Sequence, residues 1–357
     1  MKISAPKYFL AANSCEGFVS HFDSFYKEDT NWHIYIIKGG PGTGKSSFMK
    51  YICAKLYDLG FSVELCPCSS DPGSLDGLIV PQIKVAFLDG TAPHIVEAVY
   101  PGVREEIINL GEFWKGDELK NKGEEIVALT LKNKELHTLA KSYLLSAGEL
   151  ICDNFTVSRV CLDIQKAEKY ALKLVKEYIP KGKGRGREDI RFIGGITPVG
   201  VVSFSKTITD YCDNIVILED KWGGASGVIM ERIKEYALNR GYDIKTLKSP
   251  LLPTRIIDHI IIPELCLAFV TENDYVHFKS KVRRVHARRF YHVEVLKQHK
   301  NRMRFNDRLS RELLLSGCEV LGKAKENHDA LEKHYISAMN FDGVISLAQD
   351  ILEKIAI

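Results

Sequence analysis

The run GGPGTGKS at residues 39–46 joins Gly39, Gly42 and Gly44 to Lys45 and Ser46 in the spacing G-x-x-x-x-G-K-[ST]. A chain that must wrap a phosphate with its own N–H groups needs glycine where a side chain would block the approach. A helix starting at Lys45 would aim unsatisfied N–H groups and a positive dipole end at the same anion. Lys45 would neutralise β- and γ-oxygens and the Ser46 hydroxyl would ligate Mg²⁺, so the spacing points to a bound nucleoside triphosphate. Gly39, Gly40, Pro41, Gly42, Thr43, Gly44, Lys45, Ser46 and Ser47 are the expected contact run.

Such a site needs a carboxylate for the metal at the end of a neighbouring apolar strand, and IKVAFLDG supplies Asp89. Catalytic roles therefore fall to Lys45 and Asp89, with Ser46 and Asp89 holding the metal. Gly90 follows Asp89, so no acidic pair marks the general base. Asp71, after the strand FSVELC, is the favoured base, with Asp76 and Glu97 as alternatives and His94 as a possible γ-phosphate contact. Each of these also suits a turn or helix cap.

The elements that must position these groups are legible around them. HIYIIKG is a short apolar run fit for a buried parallel strand, and after the loop Phe48, Ile52 and Leu56 make one helical stripe that Gly60 would end. Strands are expected near 34–38, 62–67 and 84–88. Helical patterning runs from about 116 to 179, PKGKGRGRED at 180–189 reads as a connector, and helices return from about 307 to 357.

The chain also repeats itself. FLAANSCEGFVS at Phe9 matches FIGGITPVGVVS at Phe192, DGLIVPQIKVAF at Asp76 matches DHIIIPELCLAF at Asp258, and LLSAGE at Leu144 matches LLSGCE at Leu314. Between the first two pairs, IVILEDKWGGASGVIM at Ile215 is a second strand, glycine turn and helix. Aligned through Met49 and Met230, Lys45 falls on Ser226, Ser46 on Gly227, Gly44 on Ala225 and Asp89 on Thr271. Glu219 and Asp220 replace Lys38 and Gly39, where they would repel a triphosphate. The second copy keeps its core residues and loses its nucleotide chemistry, with anion binding at the Ser226–Gly227 helix start left open.

Composition narrows the rest. At 357 residues with 45% hydrophobic residues and a net charge of +3, the chain has room for two domains and no bulk charge demanding nucleic acid or membrane. Nine cysteines without framework spacing favour reduced thiols, and Cys66 and Cys68 lack the partners of a metal site. The absence of a long apolar run points to a cytoplasmic protein with no membrane partner. Residues 279–305 carry ten Lys and Arg against one Glu. That segment reads as a surface for nucleic acid or an acidic protein, as a source of an arginine for the γ-phosphate, or as a solvated face.

GGPGTGKSS with VAFLDG resembles the P-loop NTPase superfamily. The tandem plan, with SDPGSLDG and DGTAPH in the first copy, looks like a bacterial family of duplicated P-loop ATPases. The resemblance implies an α/β fold: two tandem P-loop NTPase-like units with mainly parallel sheets, each followed by a helical segment, at 1–180 and 181–357. It implies ATP and Mg²⁺ as ligands and a slow ATPase with one active site, the second unit being regulatory or structural. A nucleotide or small-molecule kinase and an ATP-dependent switch or nucleic-acid-binding module with little turnover are the alternatives.

Overall fold

The computed structural model describes residues 5–27, 29, 31–93, 95–278 and 282–355. The first copy opens with a hairpin, β1 (Ala11–Ser14) and β2 (Gly17–Ser20). It continues with β3 (His33–Lys38), α1 (Lys45–Asp58), β4 (Glu64–Pro67), β5 (Leu75–Val80), β6 (Val85–Asp89) and β7 (Glu105–Asn109). Three helices follow: α2 (Gly116–Lys120), α3 (Gly123–Val160) and α4 (Ile164–Tyr178).

The second copy repeats this order. After β8 (Glu188–Arg191) come the hairpin β9 (Gly194–Thr197) and β10 (Gly200–Ser203), then α5 (Ser205–Tyr211), β11 (Asn214–Glu219) and α6 (Gly224–Asn239). It goes on through β12 (Ile244–Lys248), β13 (Ile257–Ile262), β14 (Leu267–Glu272) and β15 (Arg283–His286). It ends in α7 (Val293–Gln298), α8 (Lys300–Ser337) and α9 (Phe341–Ile355).

The fold is α/β with three sheets. The first has strand order β4-β5-β6-β3-β7, and the second runs β15-β11-β14-β13-β12-β8. Both are mixed rather than mainly parallel. β3 pairs in parallel with β6 and β7, but β5 runs antiparallel to both β4 and β6. β13 interrupts the second sheet in the same way. Leu75–Val80 reads in sequence as a repeat motif rather than a strand. Its run into Pro81 and Gln82 forms a tight connection to β6, which forces the antiparallel direction. Because β4 and β6 each oppose β5, the carboxyl ends of β3, β4 and β6 still share one edge. The loop carrying Asp71 therefore reaches the edge that holds Asp89.

The strands bury both faces by alternation. Tyr35 and Ile37 pack on α1, and Ile34 and Ile36 pack on Leu10, Phe22 and Tyr26. In β11, Val216 and Leu218 face α6 while Ile215 and Ile217 face Ile208, Val276 and Phe278.

The third sheet, β10-β9-β1-β2, is built from one hairpin of each copy. Phe9 and Phe192, equivalent in the repeat, donate N–H bonds to each other's carbonyls at 2.8 and 3.0 Å. Such reciprocal pairing is what a two-fold relation between the copies produces.

Residues 179–187 carry no helix or strand, and packing does not divide the chain there. Ala167, Ala171, Leu174 and Val175 of α4 share a core with Ile229 and Ile233 of α6. Conversely, Val344, Ala348 and Ile351 of α9 join Met49, Ile52 and Leu56 of α1. Each copy thus lends its last helix to the other. The 38-residue helices α3 and α8 lie along one another between them. A Cβ on Gly317 would come within 2.6 Å of Leu144 Cδ2, so the two LLS motifs meet at a close crossing.

Candidate functional site

β3 delivers the chain at Lys38 and α1 takes it up at Lys45. Between them the backbone takes conformations an L-side chain resists, with φ +66° at Gly42 and +88° at Gly44, where Gly44 is the N-cap of α1. No side chain caps α1 and no acidic residue lies in its first turn, so its N-terminal amides are not satisfied from within the helix. The Lys45 ammonium folds back on the loop, donating to the Gly40 carbonyl at 3.0 Å and to that of Gly39 at 3.3 Å.

Asp89 lies at the end of β6, beside Ile37 in the parallel register. Its Oδ2 is 3.7 Å from Lys45 Nζ, and Oδ1 accepts from the Thr91 N–H at 2.9 Å and the Thr91 hydroxyl at 2.5 Å. Burial pushes its carboxyl up, against the pull of Lys45 and Thr91, and the neighbouring charge of Asp76 adds to the rise. Ser46 sits one residue beyond Lys45, with its hydroxyl accepting from the Leu75 N–H at 3.0 Å. The structure thus gathers Lys45, Ser46, Asp89 and Asp76 at one sheet edge.

The other base candidates have different surroundings. Asp71 Oδ2 accepts from the Ser74 hydroxyl at 2.8 Å and Oδ1 from the Gly73 N–H at 3.2 Å, a turn-forming arrangement that also pairs with Lys325 at 3.6 Å. Glu97 is engaged by Lys38 at 2.9 Å. His94 lies outside the described residues. Cys66 is wholly buried beside Arg191, burial pushes its thiol up to about 12, and the Cys68 thiol bonds to Asp76. Among the described residues no group of three or more His, Cys, Asp or Glu side chains is placed to hold a metal.

The surface covering the loop comes from the second copy, which the sequence does not foretell. A Cβ on Gly42 would meet the Glu332 carbonyl oxygen at 2.7 Å. One on Gly40 would meet the Tyr335 ring at 3.0 Å, and one on Gly44 the Phe341 ring at 3.2 Å. The Glu332 carboxylate accepts from the Gly42 N–H at 3.3 Å. No motif marks these residues, because only the antiparallel register of α3 and α8 brings the end of α8 here.

The second glycine turn is shorter. Gly223, in the left-handed region at φ +75°, caps α6 as Gly44 caps α1. Yet the buried stripe of α6 stays in step with that of α1 through Met230, so α6 starts earlier and the loop loses two residues. Asp220, expected to repel an anion, instead acts as one. Its Oδ2 accepts from the Ala225 and Ser226 N–H groups at 2.9 and 2.8 Å, and its Oδ1 from the Tyr291 hydroxyl at 3.0 Å. The anion site left open at Ser226 is therefore already filled. Glu219 pairs with Arg284 at 2.9 Å and with His286.

Thr271 takes the place of Asp89, since Leu218 opposes Thr271 just as Ile37 opposes Asp89. A cavity of about 60 Å³ beside it is lined by Trp222, Asp258 and Ser249. Burial pushes the carboxyl of Asp258, the counterpart of Asp76, up to about 7, against a hydrogen bond from Ser249.

The basic segment 279–305 packs on the second sheet and on α4, the helix lent by the first copy. Residues 279–281 lie outside the described residues. Arg283 bonds to Glu177, Tyr178 and Tyr170, Arg284 bonds to Glu219 and Glu272, and the Arg289 guanidinium lies over Tyr170. These three arginines are held away from the first glycine loop and do not supply the arginine expected from this segment. No helix among the described residues is long and apolar enough to cross a membrane. No protein-family model, curated protein or solved structure matches the chain.

Proposed function

We propose that the chain binds one ATP with Mg²⁺ at residues 39–47 and hydrolyses it slowly, the second copy acting as a structural and regulatory partner. The observation that carries this reading is the Lys45–Asp89 approach of 3.7 Å beside an uncapped helix start. A cation for the phosphates, a carboxylate for the metal and free amides for the anion converge there. Magnesium fits this donor set. It keeps several waters and takes one or two protein oxygens plus phosphate oxygens, so Ser46 and Asp89 suffice without a cage of carboxylates. ATP is favoured over GTP because the sequence has no guanine-reading N-K-x-D motif. With Arg283, Arg284 and Arg289 engaged elsewhere, these three supply no guanidinium to the loop, and a missing arginine finger costs about 10³–10⁵ in rate.

Following γ-labelled ATP with Mg²⁺ tests the reading. Release of free phosphate that Lys45→Ala abolishes supports it. Transfer of label to an added nucleoside or metabolite would make the protein a kinase, with Asp71 the next residue to change. No release despite tight binding would make ATP a switch ligand, and stimulation by nucleic acid would give 282–305 a role.

A further inference from the structure

Both glycine turns hold a carboxylate, and the two differ in where it comes from. Neither α1 nor α6 has an acidic residue in its first turn. In the second copy Asp220 supplies the negative charge from within the loop, is 3% exposed, and makes three short bonds. In the first copy the charge arrives from outside, on Glu332 of α8. Its carboxylate makes one 3.3 Å bond to the Gly42 amide and keeps 36% of its side chain exposed. A fixed anion and an exchangeable one are thus set on equivalent loops.

Glu332 is not alone. Lys325, His328 and Glu332 are spaced i, i+3, i+7, so they form one stripe on α8. His328 lies 3.4 Å from Glu332 and holds its carboxyl below the usual range, keeping it charged. Lys325 pairs with Asp71 at 3.6 Å and Asp329 at 2.5 Å. One turn further on, Tyr335 lies 6.0 Å from Trp114, and both rings border Gly40. Nearly three turns of α8, from Lys325 to Tyr335, therefore lie along the stretch from Asp71 to Gly40.

We infer that Glu332 is a resident competitor for the phosphate site: a triphosphate entering the loop takes over the Gly42 amide, displaces the carboxylate, and so shifts the end of α8. This deepens the nucleotide reading and rests on it. The physical reason is exclusion, since one N–H cannot serve two anions and like charges repel at short range. Displacement leaves the cations Lys325 and Lys45 beside the incoming charge. The other end of α8 touches the second loop, where Lys221 bonds to Asp307 at 2.9 Å. The displaced helix is thus in contact with both halves.

The test is equilibrium binding of a fluorescent ATP analogue with Mg²⁺ to the full chain, its Glu332→Gln and Glu332→Ala variants, and Lys45→Ala. Loss of one neutralised competing hydrogen bond predicts affinity about three- to tenfold tighter in both Glu332 variants. In the native chain, Trp114 fluorescence should change on nucleotide addition, and Trp114→Phe should remove that change. Binding by the native chain with unchanged or weaker affinity in both Glu332 variants would overturn the inference while leaving the nucleotide reading intact. A hundredfold loss of turnover in Glu332→Gln with unchanged affinity would also overturn it, making Glu332 a base instead. Binding only after Glu332 is changed would uphold it, and no binding by any form would remove both readings.

Discussion

The two glycine turns start from the same design and end with opposite electrostatics. The first presents a cation, Lys45, and leaves its helix start to be satisfied from outside. The second has exchanged that lysine for serine, shortened the loop, and swung Asp220 onto the amides. What this teaches is that the amides of a glycine turn draw in a carboxylate, and the source of that carboxylate decides whether the site can exchange ligands. A carboxylate built into the loop at 2.8–2.9 Å seals it. One reaching in from a separate helix at 3.3 Å can be pushed aside.

The comparison breaks most visibly at Lys45. Lys45→Ala should lower phosphate release by at least about a hundredfold while leaving thermal unfolding nearly unchanged, as side-chain truncation beside a loop requires. Retained turnover would move the chemistry away from the first loop. Asp89→Asn should lower Mg²⁺-dependent turnover by roughly a hundredfold while metal-free nucleotide binding persists, which titration with and without chelator separates.

Asp220→Ala probes the sealed turn. It strips partners from the buried Ser226 N–H and from the Tyr291 hydroxyl, while the Ala225 N–H keeps the Tyr291 oxygen at 2.9 Å, so denaturant unfolding should show a loss of about 2–4 kcal/mol. Nucleotide affinity at the first loop should hardly move.

Asp258 sharpens the comparison through pH. Its counterpart Asp76 shares a site with Lys45, whereas burial raises the Asp258 carboxyl to about 7. A carboxyl raised in the fold binds its proton there while the unfolded chain has already released it. Stability is therefore lost as pH rises from about 4 towards 7 and stays lost above. Asp258→Asn should stabilise the chain at pH 8 by on the order of 3 kcal/mol and near pH 4 hardly at all. Equal effects at both pH values would contradict the assigned cause. The smallest effect belongs to Arg284→Ala, which removes exposed pairs with Glu219 and Glu272 worth about 1 kcal/mol and should leave turnover unchanged.

Much of this was legible in residues that are neighbours along the chain. The order of strand, glycine loop and helix around Lys45, the Asp89 strand end and the paired copies all depend on short-range pattern. Leu75–Val80 was obscured because Asp76 and Gly77 interrupt its apolar pattern, and the Pro81 turn decides its direction. The exchange of α4 and α9 was hidden because an amphipathic helix specifies that a face is buried, not against which partner. For the same reason no motif points to Glu332, which reaches Gly42 across 290 residues only through the register of α8 on α3. Asp220 lay closer to reach. An acidic residue just before a glycine-capped helix start is a capping candidate, and weighing only its repulsion of a triphosphate missed that role.

The most direct test of unequal turns is the number of nucleotides bound. Calorimetric titration of the full chain with a non-hydrolysable ATP analogue and Mg²⁺ should give one site per chain, abolished by Lys45→Ala and unaffected by Asp220→Asn. Two sites per chain, or one that survives Lys45→Ala, would contradict the assignment of the nucleotide to the first loop alone.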